Sequence, residues 1–241
     1  MPRGYAGKYL LVDLSAGSWS DFTVDEEILR DYLGGSSLAA KLFFDRYPLD
    51  ADPLSGQNPL MIMTGPMVGS GFPGTSRFSI CAKAPQTGIW GESACGGTFG
   101  PELKRAGYDG LVVEGISSAP VTLCIVDGKV ELQDASSLWG KDVYETTDAL
   151  KEKDARFKVL TIGAAGENLV KIASIGNDKG HFSGRTGLGA VMGSKKLKAI
   201  VVRGSAKPLK ADEERYKTAF KSAINCSVSQ SSDNCWLRFN A

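Results

Sequence analysis

The sequence predicts a fold that mixes strands with helices and is built as an internal duplication. Two observations carry this. Two stretches repeat one order of elements: a glycine loop, a short helix with a basic end, a Val-Val strand and a closing glycine. In the first, Gly96-Gly97-Thr98-Phe99-Gly100 leads into helical Pro101–Ala106, the strand Gly110–Glu114 and Gly115. In the second, Gly184–Gly189 leads into Ala190–Lys196, the strand Ala199–Arg203 and Gly204. The other observation is glycine content, 29 of 241 residues, against a usual ~7%. The copies lie too far apart for a solenoid, and two matched loops suggest one site of near two-fold symmetry, for a ligand with two similar halves.

The elements follow in order. Lys8–Leu14 is strand-like, Ser15–Ser18 turns, and Trp19–Val24 alternates with period two, so the chain opens on a hairpin. Asp25 caps a helix over Glu26–Leu33, which Gly34-Gly35 ends, and a second helix runs over Ser37–Arg46. Pro53, Asn58 and Pro59 mark loops before a short buried strand, Leu60–Thr64. Gly65-Pro66, a glycine-rich loop over Gly69–Gly74 and a strand over Arg77–Lys83 come next. Each repeated unit is also preceded by a strand and a loop, Arg77–Pro85 in one case and Leu169–Gly176 in the other. Between them Val121–Val126 and Lys129–Gln133 form a hairpin on an Asp127-Gly128 turn, and Asp142–Lys153 is a helix. Asp212–Ala223 can form an amphipathic helix, whereas Cys226–Asn234 is a polar stretch. The expected division is a domain over 1–209 and, over 210–241, a tail or the truncated start of a further domain.

Composition excludes several classes. Lys and Arg total 28 against 27 Asp and Glu, a net charge of +1, which speaks against a nucleic-acid partner. Hydrophobic content of 42% and charged content of 23% suit a globular chain and not a disordered one. No apolar run approaches the ~20 residues of a membrane helix, and the start lacks a secretory segment, so no membrane association and a cytoplasmic location are expected. The five cysteines, Cys81, Cys95, Cys124, Cys226 and Cys235, include no close pair, which argues against both a disulfide framework and a self-contained zinc or iron–sulfur site. A single histidine, His181, excludes a histidine-rich metal site.

Three glycine-rich stretches, Gly69–Gly74, Gly91–Gly97 and Gly184–Gly189, could together cradle a polyanion, because glycine lets backbone N–H groups approach a ligand and a helix start adds partial positive charge. Glycine also simply makes tight turns, and that reading stands beside the first. Nucleotide motifs fail: Gly189-x3-Gly193-Ser194-Lys195 is one residue short of a P-loop with Ser and Lys reversed, and Gly184-x2-Gly187-x-Gly189 runs the dinucleotide pattern backwards. Arg77 starts a strand after a glycine loop, where its guanidinium either forks onto a phosphate or polar ring or is merely solvated. Arg185 lies inside a glycine loop with nothing apolar to pack on, which favours anion contact. Lys195-Lys196-x-Lys198 reads as a solvated helix end complementing the dipole, and Cys95 as a packed thiol. His181 reads equally as a loop or a catalytic histidine. Glu92 and Glu167 are single carboxylates, and no acid–base pair stands out.

Several blocks together resemble a known family. They are Val12-Asp13-Leu14-Ser15-x-Gly17, Tyr32-Leu33-Gly34-Gly35, Asp52-Pro53-Leu54-Ser55 and Thr64-Gly65-Pro66, then Gly96-Gly97-x-Phe99-Gly100-x-Glu102-Leu103-Lys104-x-Ala106-Gly107-Tyr108-Asp109. Leu138-Trp139-Gly140-Lys141, Ala165-Gly166-Glu167-Asn168-Leu169-Val170 and Gly189-Ala190-Val191-Met192-Gly193-Ser194-Lys195 complete the set. In this order, over about residues 4–209, the chain resembles the N-terminal domain of the tungsten-containing aldehyde:ferredoxin oxidoreductases.

The resemblance implies an α+β domain of duplicated, intertwined β-sheet and helix repeats, forming a layered base for a bis-molybdopterin cofactor of tungsten or molybdenum. It implies that Arg77 lies between pterin and iron–sulfur cluster. It also implies that the backbone carbonyls of Ala94 and Phe182 help hold a magnesium ion bridging the two pterin phosphates. Gly96, Gly97, His181, Gly184 and Arg185 would line the phosphates and pterins. Family members can carry Asn at Ala94, Arg at His181 and Ala at Phe182. Carbonyl ligation survives such a side-chain change, whereas His181 weakens phosphate binding relative to Arg and Phe182 crowds the site.

The four cysteines of a 4Fe-4S cluster, the remaining pterin segments and the substrate groove belong to further domains in the family. Cys226-x8-Cys235 is not their pattern, so C-terminal domains of the same enzyme are expected partners. The implied function is the cofactor-binding part of an oxidoreductase that converts a small aldehyde to a carboxylic acid and passes electrons through the cluster to ferredoxin or an electron-transfer subunit. The alternatives are a relative acting on another substrate, such as an aromatic-ring-reducing subunit, and a non-catalytic binding module or truncated remnant.

Overall fold

The computed structural model describes residues 3–207 and 210–230. The first half of the chain supplies β1 (Tyr9–Asp13), β2 (Ser18–Phe22), α1 (Glu26–Tyr32), α2 (Gly35–Arg46), β3 (Leu60–Met63), β4 (Phe78–Lys83), β5 (Trp90–Cys95), α3 (Phe99–Arg105) and β6 (Gly110–Glu114). The second supplies β7 (Val121–Val126), β8 (Lys129–Asp134), α4 (Val143–Lys153), β9 (Lys158–Thr161), α5 (Ala164–Glu167), β10 (Ile175–Asn177), β11 (His181–Ser183), α6 (Leu188–Ser194) and β12 (Leu197–Arg203). A last helix, α7, spans Glu213–Gln230.

Each half forms one sheet. The first has the order β2-β1-β6-β3-β4-β5, and the second, read from its opposite edge, β8-β7-β12-β9-β10-β11. Adding six to each label of the first yields the second. The senses match as well: β1 runs parallel to β6 and β7 to β12, while the other pairs are antiparallel. The fold is therefore α+β and duplicated.

The repeats are also interwoven. Helix α3 of the first half packs on β9 and β12 of the second sheet, and α6 of the second half packs on β3 and β4 of the first. Phe99 and Leu103 of α3 and Leu188, Val191 and Met192 of α6 thus share one central core with Leu60, Ile62, Leu160 and Ile200 from both sheets. Helices of seven residues are too short to persist alone in water. Their stability comes from this apolar layer, in which each fully buried Leu, Ile or Phe contributes about 1.5–3 kcal/mol.

The outer faces are covered too. Helices α1 and α2 lay Leu29, Leu38, Leu42 and Phe43 on Met61, Met63 and Val112. On the other side Leu150 of α4 and Leu138 meet Val159, Ala199 and Val201. The result is five layers: helix, sheet, helix, sheet, helix. Strands buried on both faces lose the alternation of a half-exposed strand, which is why β3 is the unbroken apolar run Leu60-Met61-Ile62-Met63.

Three sequence expectations change. Gly91–Gly97 is mostly strand β5, with a loop only from Gly96. Gly91 marks close packing, since a Cβ there would lie 2.9 Å from Ala84 Cβ and 3.0 Å from Thr186 Cβ. The strand expected over Leu169–Gly176 is a turn until Ile175; the strand that corresponds to β4 is the short β10, at Ile175–Asn177. Helix α7 continues to Gln230, past the expected Ala223, and docks through Phe72, whose ring stands 6.1 Å from Tyr216 and 6.0 Å from Phe220. Cys235 lies outside the described residues.

Candidate functional site

Strands β5 and β11 hold the same position in the two repeats, each at the edge of its sheet, and the two edges lie against each other. Ser183 Oγ lies 3.5 Å from the Ser93 carbonyl, and the Arg185 amide donates to Ser93 Oγ at 3.4 Å. Each strand runs straight into a loop and then a central helix: β5 into Gly96–Thr98 and α3, β11 into Gly184–Gly187 and α6. The two loops that match in sequence therefore meet at one end of the central layer.

Register makes the equivalence exact to the residue. Ala94 pairs with Ser79, which pairs with Met63, which pairs with Gly110. Phe182 pairs with Gly176, which pairs with Thr161, which pairs with Ala199. Ala94 and Phe182 are thus counterparts, one on each edge strand. Both are exposed, Phe182 to 44%. Edge strands keep alternate backbone groups free of ladder partners.

The loops join through side chains. Asn177 Nδ2 donates to the Gly96 carbonyl at 2.6 Å, and the His181 ring packs on Gly96 and Gly97. A Cβ on Gly97 would lie 2.6 Å from Asn177 Nδ2 and 2.8 Å from His181 Cδ2, and φ is +85°, so approach and backbone conformation both require glycine there. Around Gly184, by contrast, a Cβ would meet nothing within 4 Å. Thr186 holds φ +63°, a left-handed conformation that is costly for a β-branched residue. Neither α3 nor α6 has a side-chain cap on its first turn.

Arg77, just ahead of β4, is exposed and lines a cleft of about 250 Å³ with Ala94, Gly34, Gly35, Gly65 and Val68. Arg185 and His181 are exposed on the adjoining loop. Residues 77 and 94 line that cleft, residues 96, 97 and 181 meet at the first loop, and residues 182, 184 and 185 are exposed along the surface of β11 and the loop after it. The third glycine stretch does not join them: Ser70 and Phe72 contact α7 instead.

Burial raises the pKa of the Cys95 thiol, against smaller opposing effects of Asn177, Arg77 and the Gly96 backbone. Among the described residues no group of three or more His, Cys, Asp and Glu is placed to hold a metal. A metal bound here would arrive with ligands of its own or use backbone oxygen.

The expected solvated lysines are a correction. Lys195 and Lys198 are both 0% exposed, because α6 ends inside the layers and β12 follows at once. Lys198 Nζ fills its three donor sites with Glu167 Oε1 at 2.5 Å and the carbonyls of Lys141 and Ile162 at 2.7 and 2.9 Å. The sequence reading also missed Asn177 and Ser93. Aligning the two repeats would have exposed Asn177, whose counterpart is Ile80.

Comparison with known proteins accords with this geometry. Residues 9–204 match the family model described as aldehyde ferredoxin oxidoreductase, N-terminal domain. The chain is similar to a tungsten-containing aldehyde ferredoxin oxidoreductase of Thermococcus kodakarensis, 44% identical over 224 residues, covering 92% of this chain and 37% of the relative. It is 35% identical to the WOR-like subunit of an aliphatic sulfonate oxidoreductase of Pyrococcus furiosus, over 90% of this chain and 37% of that subunit. Among solved structures it resembles the active-site complex BamBC of benzoyl coenzyme A reductase with 1,5-dienoyl-CoA, with a TM-score of 0.94 and 37% identity over 97% of this chain and 36% of that one. The chain thus spans little more than a third of the length of the relatives it matches.

Proposed function

The chain belongs to the aldehyde ferredoxin oxidoreductase N-terminal domain family, and from that premise we propose that it is the platform for a tungsten cofactor carried on two molybdopterins. The observation that carries the reading is the meeting of two equivalent strand-to-loop corners, with Ala94 and Phe182 as counterparts. A complex with two similar halves calls for two similar seats. The residues present fit such a group: backbone at Gly184 is unobstructed, Gly97 admits no side chain, and the cleft of about 250 Å³ beside Arg77 is shallow, a seat and not an enclosure.

In this reading Gly96, Gly97 and Gly184 let the main chain approach the two halves, and Arg185 and His181 face their phosphates. The carbonyls of Ala94 and Phe182 would offer oxygen to a magnesium ion held with the cofactor, hard donors suited to a hard cation. Arg77 sets a fixed positive charge beside the anionic complex, while the exposed Phe182 ring covers one flank. When bound, the group would supply the oxidation of an aldehyde and water to a carboxylic acid, releasing two protons and two electrons, the electrons passing to a 4Fe-4S cluster and ferredoxin. Cluster ligands and substrate groove belong to polypeptide beyond these residues, so this chain's own part is to bind, orient and shield.

The test is elemental and pterin analysis of the protein purified from cells supplied with tungstate. Tungsten or molybdenum with about two pterins per chain supports the platform; protein with neither overturns it. A second reading, a platform serving reduction of an aromatic thioester ring, draws on the likeness to the benzoyl coenzyme A reductase complex. Product analysis with an aldehyde against an aryl-CoA separates the two.

A further inference from the structure

The duplication is nearly exact in backbone, so a buried polar residue that breaks it stands out. Asn177 on β10 is such a residue. Its counterpart on β4 is Ile80, and both are 0% exposed. The apolar side chain is what a strand facing the central core calls for. The carboxamide in its place leaves Oδ1 buried without a partner, an arrangement that costs stability. What the carboxamide gains is a bond across the repeat boundary: Nδ2 donates to the Gly96 carbonyl at 2.6 Å. The same group lies against Cys95 and against the face of Gly97 that admits no side chain.

We propose that Asn177 is a positioning residue that locks the Gly96-Gly97 corner of the first repeat to the second repeat, holding the two seats in one fixed relation. Glycines make the corner able to approach a ligand, yet they also add backbone freedom there. One side-chain bond from the partner repeat removes that freedom before any ligand arrives, which is preorganisation. His181, the first residue of β11 after the turn at Asp178–Gly180, closes the same corner from its other side, its ring against Gly96 and Gly97. The consequence for binding rests on the cofactor platform proposed above; the consequence for the corner does not.

The experiment compares the protein with its Asn177→Ile variant, which copies the first repeat, and with Asn177→Asp, which keeps the shape and removes the donor. Three quantities are read: the thermal midpoint, hydrogen exchange of the amides at 96–99, and pterin content after purification. The expected result is a midpoint changed by only a few degrees in Asn177→Ile, with exchange at 96–99 at least tenfold faster than in the unsubstituted protein. Pterin content falls several-fold in both variants. A role in core packing alone would instead shift the midpoint and exchange throughout the central layer. Unchanged exchange at 96–99 overturns the proposal, as does faster exchange with undiminished pterin. Should Asn177→Ile fail to fold, Asn177→Asp carries the same comparison. If the unsubstituted protein holds no pterin, the platform reading fails by itself, and the exchange data still decide whether Asn177 holds the corner.

Discussion

Asp109 and Lys198 occupy the same position in the two repeats and carry opposite charges. Each sits one residue ahead of the equivalent positions Gly110 and Ala199, and each uses its carbonyl alike: Asp109 O accepts from the Thr64 amide at 2.9 Å, Lys198 O from the Ile162 amide at 3.3 Å. Both side chains are buried. Asp109 is neutralised by Lys104 at 3.2 Å and by the amides of Ala6 and Gly7 at 3.0 and 2.7 Å. Lys198 is neutralised by Glu167 at 2.5 Å. One backbone architecture thus tolerates either sign, provided a partner packs beside it.

The Lys198–Glu167 pair yields the first prediction. Glu167→Gln leaves a buried ammonium without its counter-charge, and breaking such a pair costs about 3–5 kcal/mol. Adding Lys198→Met to that variant recovers most of the loss, because the buried charge itself is gone. Urea unfolding of the single and double variants measures both; a single-variant loss under about 1 kcal/mol would contradict the account.

Lys195 sets a pH dependence. Burial lowers its pKa to about 8, against the opposing pull of Glu114 and Asp13, whereas in the unfolded chain it titrates near ~10.4. Between those values the unfolded chain carries a proton that the folded one has released, so stability rises with pH across the window, by about 3 kcal/mol at most. Lys195→Met removes this rise and is the more stable protein at pH 7. Unfolding curves from pH 7.5 to 10.5 for both proteins supply the check, and equal slopes would refute it.

Gly193 tests helix propensity against sterics. On propensity alone Gly→Ala inside a helix gains about 1 kcal/mol. Here a Cβ would fall 1.9 Å from the Gly166 carbonyl oxygen, backbone against backbone, where α5 and α6 cross. Overpacking of that kind costs about 1–3 kcal/mol or more, so Gly193→Ala lowers the melting temperature or the soluble yield. Gly180→Ala, with nothing within 4 Å, leaves both unchanged and serves as the control.

Arg77 and Arg185 separate binding from folding. Both are exposed, and substitutions at such positions shift stability by about 0.5 kcal/mol or less. If they face the cofactor, Arg77→Ala and Arg185→Ala keep the melting temperature while tungsten and pterin content fall several-fold in metal analysis. Full cofactor content in both variants would remove these residues from the site.

Local pattern exposed what is local. The Asp127-Gly128 turn between two apolar strands, Asp142 ahead of α4 and the glycine–helix–Val-Val–glycine units each signal their element through neighbours in sequence, and each element formed. Asp142 even completes a capping box with Glu145. Strand β5 was hidden because Gly91, Gly96 and Gly97 suggest a turn, whereas Gly91 serves the close approach of Ala84 and Thr186, residues distant from it in the chain or brought to it only by folding. Strands β10 and β11, three residues each and rich in polar groups, carry too little periodicity to be seen.

The sequence by itself determined the duplicated plan, because backbone freedom at glycine and the hydrophobic run of a strand are properties of a few adjacent residues. Only the tertiary structure decided that α3 and α6 exchange sheets, that β5 and β11 lie edge to edge, and that Asn177 reaches Gly96 at 2.6 Å. It also turned a lysine run that looked solvated into two fully buried ammonium groups. The physical reason is the same throughout: whether a charge or a carboxamide can be buried depends on partners supplied from elsewhere in the chain, and those partners exist as neighbours only after the layers have packed.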